Sequence, residues 1–259
     1  MKKIYKKIFK IFILIKAKKN TGKPFFNKKY HRIYHFHIRK TGGTSVNKIF
    51  LNIHDNNSKV HFKKLVENNI IKIKNTYFAG WDKRIIESGR YHYGFSHIPY
   101  HKISIPNKTF TITCLRDPIS RVVSHYKMLK YYNENNINHP CMEKEGKWLG
   151  KNFNDFLSKI PKEHLLNQLY MFSESFNIDE AYKNINNLSY YFFTDSFNKG
   201  ISEISKEINV ELIPIHVHKS SIDVDIPKKD IDHLKKILEP EYELYNKLKR
   251  NKEFQLNNQ

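Results

Sequence analysis

The sequence predicts an α/β fold whose central sheet is mostly parallel and flanked by helices on both faces. Short runs rich in β-branched and aromatic residues alternate with segments of helical periodicity. Strands separated by helices pair in parallel through crossovers, and sheets built that way are covered on both sides. The chain also lacks an internal repeat and any long Gly-, Pro- or Ser-rich linker. The expected organisation is therefore an amino-terminal arm, residues 1–27, followed by one domain, residues 28–259.

The arm begins with Lys2, Lys3, Lys6 and Lys7, continues through a short apolar stretch at Ile8 to Ile15 broken by Lys10, and closes with Lys16, Lys18 and Lys19. It falls far short of the roughly 20 apolar residues that span a bilayer. Lysines also stand where a cleaved leader needs small residues. The arm reads as a basic amphipathic segment, with residues 1–20 suited to peripheral contact with an anionic membrane, at the inner face of a cell membrane.

Ile33 to Ile38 reads as the first strand, followed by a Gly-rich turn and a helix from about Ser45. Tyr91 to His97, Thr109 to Leu115 and Tyr190 to Phe193 give three more strands. Helices are expected at Pro118–Lys130, Phe153–Ser158, Glu163–Phe172, Ile178–Asn187, Phe197–Ile208, Lys228–Ile237 and Glu239–Arg250. The polar stretch Asn133–Gly150, with Pro140 and Gly146, reads as a long surface loop of the kind that often forms a lid.

Composition narrows the function. With 39% hydrophobic and 14% aromatic residues the 259-residue chain has the means to build a core, which excludes general disorder. Forty-six basic against 25 acidic residues leave a net charge of +21, which asks for an anionic partner: phosphate, sulfate, acidic glycan, lipid or nucleic acid. The two cysteines, Cys114 and Cys141, have no metal or disulfide spacing and fit a reducing, cytoplasmic compartment.

Two segments suit an anion. In His37-Ile38-Arg39-Lys40-Thr41-Gly42-Gly43-Thr44-Ser45 a strand ends and a helix begins. Gly42 and Gly43 let the backbone curl and expose its N–H groups, and the helix adds its amino-terminal donors and positive dipole end. Lys40 adds a full charge; Thr41, Thr44 and Ser45 add hydroxyls. The segment is not a Walker A loop, because that motif places Lys after the glycines.

The second segment is Leu115-Arg116-Asp117-Pro118-Ile119-Ser120-Arg121-Val122-Val123-Ser124-His125-Tyr126. A strand delivers Arg116, Asp117 caps the next helix, and Pro118 suits its first position. Ser124 stands roughly 9 Å along that helix, so Arg116 and Ser124 reach one phosphate together. Arg121 is open between an anion contact and a solvated or ion-paired helix residue.

The pair resembles the sulfotransferases that use 3′-phosphoadenosine-5′-phosphosulfate (PAPS), especially the carbohydrate branch with the glycosaminoglycan 2-O-sulfotransferases. HIRKTGGTS is similar to that family's 5′-phosphosulfate loop and LRDPISRVVSHY to its 3′-phosphate motif, in the same order and about 75 residues apart. Weaker likenesses are Gly94-Phe95-Ser96-His97-Ile98-Pro99, Asn167-Gln168-Leu169, Thr194-Asp195 and Tyr242-Glu243-Leu244-Tyr245, so the resemblance spans roughly residues 33–250. It departs from the family pattern at Arg39, where Pro is common, at Ser96, where Gly usually precedes the His, and at His218-Lys219-Ser220, where Asn-x-Ser is frequent.

The resemblance implies a P-loop-like, three-layer α/β fold, PAPS as co-substrate, no metal, and a carbohydrate hydroxyl as acceptor, on an acidic polysaccharide or a glycolipid. On this chain Arg39, Lys40 and Thr41 to Ser45 would hold the 5′-phosphosulfate, Arg116 and Ser124 the 3′-phosphate, and Lys219 with Ser220 would add cofactor contacts. Lys40 would stabilise the leaving phosphate. His97 would be the base, since imidazole titrates near neutrality and the family comparison sets its segment beside the acceptor. His92 and His101 stand in reserve.

Three rivals are weaker. A P-loop kinase or NTPase needs magnesium carboxylates, and only Asp117 is at hand. A non-catalytic binder of acidic glycan or nucleic acid fits the charge, but no nucleic-acid-binding signature is present, and nucleic acid is not expected as a partner. Zinc at His35-x-His37 or His216-x-His218 lacks a completing carboxylate or cysteine.

Overall fold

The computed structural model describes residues 2–215 and 222–257. Six strands form one sheet: β1 (Arg32–Phe36), β2 (Ile70–Ile73), β3 (Thr76–Gly80), β4 (Tyr93–Ser96), β5 (Thr109–Leu115) and β6 (Tyr190–Phe193), in the order β2-β3-β4-β1-β5-β6. The helices in chain order are α1 (Lys2–Asn20), α2 (Gly43–Leu51), α3 (Ser58–Asn68), α4 (Lys83–Glu87), α5 (Pro118–Glu134), α6 (Met142–Glu145), α7 (Phe153–Lys159), α8 (Lys162–Leu165), α9 (Asn167–Phe172), α10 (Ile178–Asn186), α11 (Phe197–Ile208), α12 (Lys228–Ile237) and α13 (Glu239–Asn257). The expected α/β class with a mostly parallel sheet is what the chain adopts: β3 with β4, β4 with β1 and β1 with β5 are parallel, and β2 with β3 is antiparallel. No helix among the described residues is long and apolar enough to cross a membrane.

The chain divides into two compact units. The first comprises Met1–His37, Gly42–Cys114 and Asn186–Val217. All five residues of β1 are buried, as a central strand covered on both faces requires. Its core joins Ile33, Phe78, Tyr93, Phe95, Phe110, Ile112 and Cys114 from the sheet to Val46, Ile49 and Phe50 of α2 and Ile201, Ile204 and Ile208 of α11. Ile33 faces Tyr93 and Phe36 faces Ser96, so His37 and His97 leave their strands side by side. The arm's α1 buries Ile13 and Ala17, and Lys10 pairs with Asp82 at 2.9 Å. Arg32, buried at the start of β1, donates to the carbonyls of Thr21, Gly89 and Asn107.

The second unit comprises Ile38–Thr41, Leu115–Ile185 and His218–Gln259. Its helices correct two expectations. The stretch Asn133–Gly150 is not one long surface loop: α5 runs on to Glu134, α6 follows, a 3-10 turn spans Gly146–Trp148, and Glu145 is buried. The expected helix Glu163–Phe172 is broken at Leu166 (φ −102°, ψ 47°) into α8 and α9. The break exposes the carbonyls of His164 and Leu165, and the buried Arg121 guanidinium takes both. Arg121 thereby resolves as an ion-paired core residue, bonded through Nε to Glu241 at 3.0 Å.

Candidate active site

In the first unit, Gly42 (φ 82°) begins α2 in the left-handed region open to glycine, and its carbonyl accepts from the N–H groups of Ser45 and Val46. A Cβ on Gly43 would stand 1.9 Å from His37 Cδ2, so glycine is required for the imidazole to lie against the helix start. Thr44 is exposed and Ser45 half-buried on the first turn of α2.

The His37 ring is held from behind. Buried Asn47 of α2 places its Nδ2 3.3 Å from His37 Nδ1, while its Oδ1 accepts from Tyr93 at 2.7 Å and lies 2.9 Å from His35 Nδ1. Burial lowers the His35 pKa to about 4, so this ring is neutral and donates through Nδ1 to Asn47.

His97, half-buried just after β4, lies 2.5 Å through Nδ1 from the carbonyl of His37, and the two rings lie 4.3 Å apart between centroids, tilted by 41°. A carbonyl only accepts, so Nδ1 carries a proton, and in the neutral form of the ring Nε2 is the acceptor atom. That is the tautomer a general base needs. Ser96, where glycine was the common residue, is buried; its hydroxyl accepts from the N–H of Ile98 and bonds Tyr34, bracing the turn that presents His97. Of the reserves, His92 is locked in the core. It stacks on Phe25 at 3.7 Å, its Nδ1 accepts from the N–H of Tyr77, and burial lowers its pKa to about 4. His101 lies in a 3-10 turn, Tyr100–Lys102.

In the second unit the structure brings Lys40 and Arg116 together. Arg116 Nη1 donates to the Lys40 carbonyl at 3.1 Å. Lys40 sits at φ 66°, a conformation that costs a non-glycine residue about 1–3 kcal/mol and marks a constrained turn. Burial, Arg116 and Arg39 together push its pKa down to about 8. Thr41 is buried and spends its hydroxyl proton on the Ile38 carbonyl at 3.0 Å, so it shapes the turn. Arg39 donates its N–H to Asn167, and its guanidinium pairs with Glu145 at 2.8 Å. The other oxygen of Glu145 bonds His125 Nε2 at 2.8 Å.

Asp117 caps α5 as expected, accepting from the N–H of Ser120 at 2.7 Å, and Tyr242 donates to its second oxygen at 2.6 Å. Ser124 is half-buried on α5, 1.5 Å of rise per residue beyond that cap. Lys219 and Ser220, like His216 and His218, lie outside the described residues.

Sequence reasoning missed Asn47, Glu145 and Glu241, and it noticed Gln168 only as part of a family-like triplet. Each is a buried polar residue that braces a predicted site residue or its neighbours. Asn47 alone left a local trace, as a polar residue on the apolar face of α2.

Among curated proteins no sequence matches. Among solved structures, the crystal structure of mouse sulfotransferase SULT7A1 complexed with PAP aligns at 12% identity and a TM-score of 0.38, over 86% of this chain and 68% of that one. The model of the sulfotransferase family matches residues 23–175, more than half of the chain and including both anion segments. The protein belongs to the sulfotransferase family.

Proposed function

We propose that the protein transfers the sulfuryl group of PAPS to a hydroxyl of a carbohydrate acceptor, an acidic polysaccharide or a glycolipid. The observation that carries this reading is the meeting of Lys40 and Arg116: the Arg116 guanidinium of one anion segment donates to the main-chain carbonyl of Lys40 in the other, close enough to add to burial in lowering the Lys40 pKa. Each of two neighbouring cations disfavours the other's charged form, and an anion bound between or beside them relieves that cost. In this reading Lys40, with Arg39 and the Thr41 to Ser45 segment, holds the 5′-phosphosulfate, and Arg116 with Ser124 holds the 3′-phosphate.

The acceptor oxygen attacks sulfur in line, the bond from sulfur to the bridging phosphate oxygen breaks, and 3′,5′-ADP leaves. Lys40 meets the charge that develops on the leaving oxygen. The acceptor proton passes to Nε2 of His97, whose Nδ1 proton is tied to the His37 carbonyl.

The same proposal places the enzyme in the cytoplasm, in peripheral contact with an anionic membrane through α1. Ile13 and Ala17 are buried, yet Ile11, Phe12 and Ile15 remain 49%, 53% and 56% exposed on a lysine-rich helix. Transfer of labelled sulfate from PAPS to a panel of acidic and neutral glycans tests the function. Label in one glycan class, lost in Lys40→Ala, supports it; labelled phenols or tyrosine peptides with unlabelled glycans would replace the acceptor.

A further inference from the structure

Arg116 is fixed at its backbone by a side chain from another helix. Gln168 of α9, 1% exposed, accepts the Arg116 N–H on Oε1 at 2.8 Å and donates Nε2 to the Arg116 carbonyl at 2.9 Å. β5 ends at Leu115, so the amide of Gln168 does for the next residue what a neighbouring strand would do. Gln168 is held in turn by Glu241 of α13, which is fully buried. Its oxygens accept from Gln168 Nε2 at 2.9 Å, from the Gln168 N–H at 3.2 Å and from Arg121 Nε at 3.0 Å. Arg121 completes its bonding on the carbonyls of His164 and Leu165.

Every member of this network is paired, which is the condition under which buried polar groups specify one geometry instead of loosening the core. Its output is a fixed Arg116 main chain, from which the guanidinium reaches the Lys40 carbonyl.

We propose that Gln168, oriented by Glu241, is a positioning residue for the 3′-phosphate site: it sets the direction in which Arg116 is presented. The proposal rests on the reading of Arg116 as the 3′-phosphate ligand. Because Gln168 acts only through Arg116, its loss should be felt by a ligand carrying a 3′-phosphate and not by one lacking it.

Calorimetric titration of 3′,5′-ADP and of 5′-AMP into the wild type, Gln168→Ala, Arg116→Ala and the double variant separates the possibilities. The expected result is a loss of about tenfold or more in 3′,5′-ADP affinity for Gln168→Ala, with 5′-AMP affinity held within about twofold and no further loss in the Arg116→Ala background. Gln168→Met fills the same volume without the two bonds, and should give the same pattern if the alanine variant fails to fold. An equal loss for both nucleotides, an unchanged 3′,5′-ADP affinity, or a full additional loss in the Arg116→Ala background would overturn the positioning role. A wild type that binds 5′-AMP as tightly as 3′,5′-ADP would overturn the reading of Arg116 itself.

Discussion

The guanidinium of Arg116 donates a 3.1 Å hydrogen bond to the main-chain carbonyl of Lys40. One segment's cation is thus anchored on the backbone of the other, and burial, with Arg116 close by, lowers the Lys40 pKa to about 8. An ammonium at that value is charged below pH 8 and loses its charge above it. Donor affinity should therefore fall as pH rises through about 8. A bound polyanion favours the charged form, so binding near pH 8 should take up protons. Calorimetry of 3′,5′-ADP in two buffers of different ionisation enthalpy measures that uptake, and its absence would remove Lys40 from the anion site.

Lys40→Ala should lower both donor affinity and turnover, since the charge acts before and during transfer. Arg116→Ala should raise the KM for PAPS with a much smaller effect on kcat, because the 3′-phosphate is remote from the reacting sulfur. Steady-state kinetics with varied PAPS distinguishes the two patterns.

His97→Ala should cut turnover by about 10²- to 10⁴-fold, the usual range for general-base assistance, with donor binding retained. Near-normal turnover at saturating acceptor would mean that another group takes the proton.

Three buried histidines predict acid sensitivity. Burial lowers His35, His92 and His125 from 6.5 to about 4, so each is neutral in the folded chain below the pH at which it protonates when unfolded. The unfolded chain then binds more protons between about pH 6.5 and 4, and stability falls as pH falls through that window, by up to about 1.4 kcal/mol per pH unit for each histidine. Glu145, whose pKa is lowered despite its burial by bonds to His125 and Arg39, adds to the loss once the pH falls below the ordinary carboxylate range. Urea titrations at pH 7, 6 and 5 measure the slope, and His125→Gln should reduce it.

The exposed side chains of α1 predict binding to vesicles containing anionic lipid, weakened by salt and abolished in a Phe12→Glu, Ile15→Glu variant. Sedimentation with phosphatidylglycerol and with phosphatidylcholine vesicles checks it. Equal partition of wild type and variant would leave α1 without a membrane role.

Much of the fold was legible in the residues. The strands at Thr109–Leu115 and Tyr190–Phe193 stand where their β-branched and aromatic runs put them, and Asp117-Pro118 starts α5 as its capping chemistry requires. The hairpin β2–β3 was not legible. β3 contains Ala79 and Gly80, poor strand formers, and the turn carries Lys74 at φ 50° instead of an Asn-Gly signal. The break at Leu166 has no local signal in the sequence, and the partner of the carbonyls it frees, Arg121, comes from another helix. The same limit applies at the site. Lys40, Gly42, Gly43 and Arg116 announce themselves through local chemistry, whereas Gln168 and Glu241 matter only through contacts 52 and 120 residues away along the chain.

The central claim, that this chain moves a sulfuryl group from PAPS to a sugar hydroxyl, is tested most directly by following 3′,5′-ADP formation from PAPS in a single turnover, with and without a glycan acceptor. The account predicts acceptor-dependent release of 3′,5′-ADP matched mole for mole by sulfated glycan, and neither product in Lys40→Ala. Release of 3′,5′-ADP with free sulfate at a rate indifferent to every glycan would contradict it.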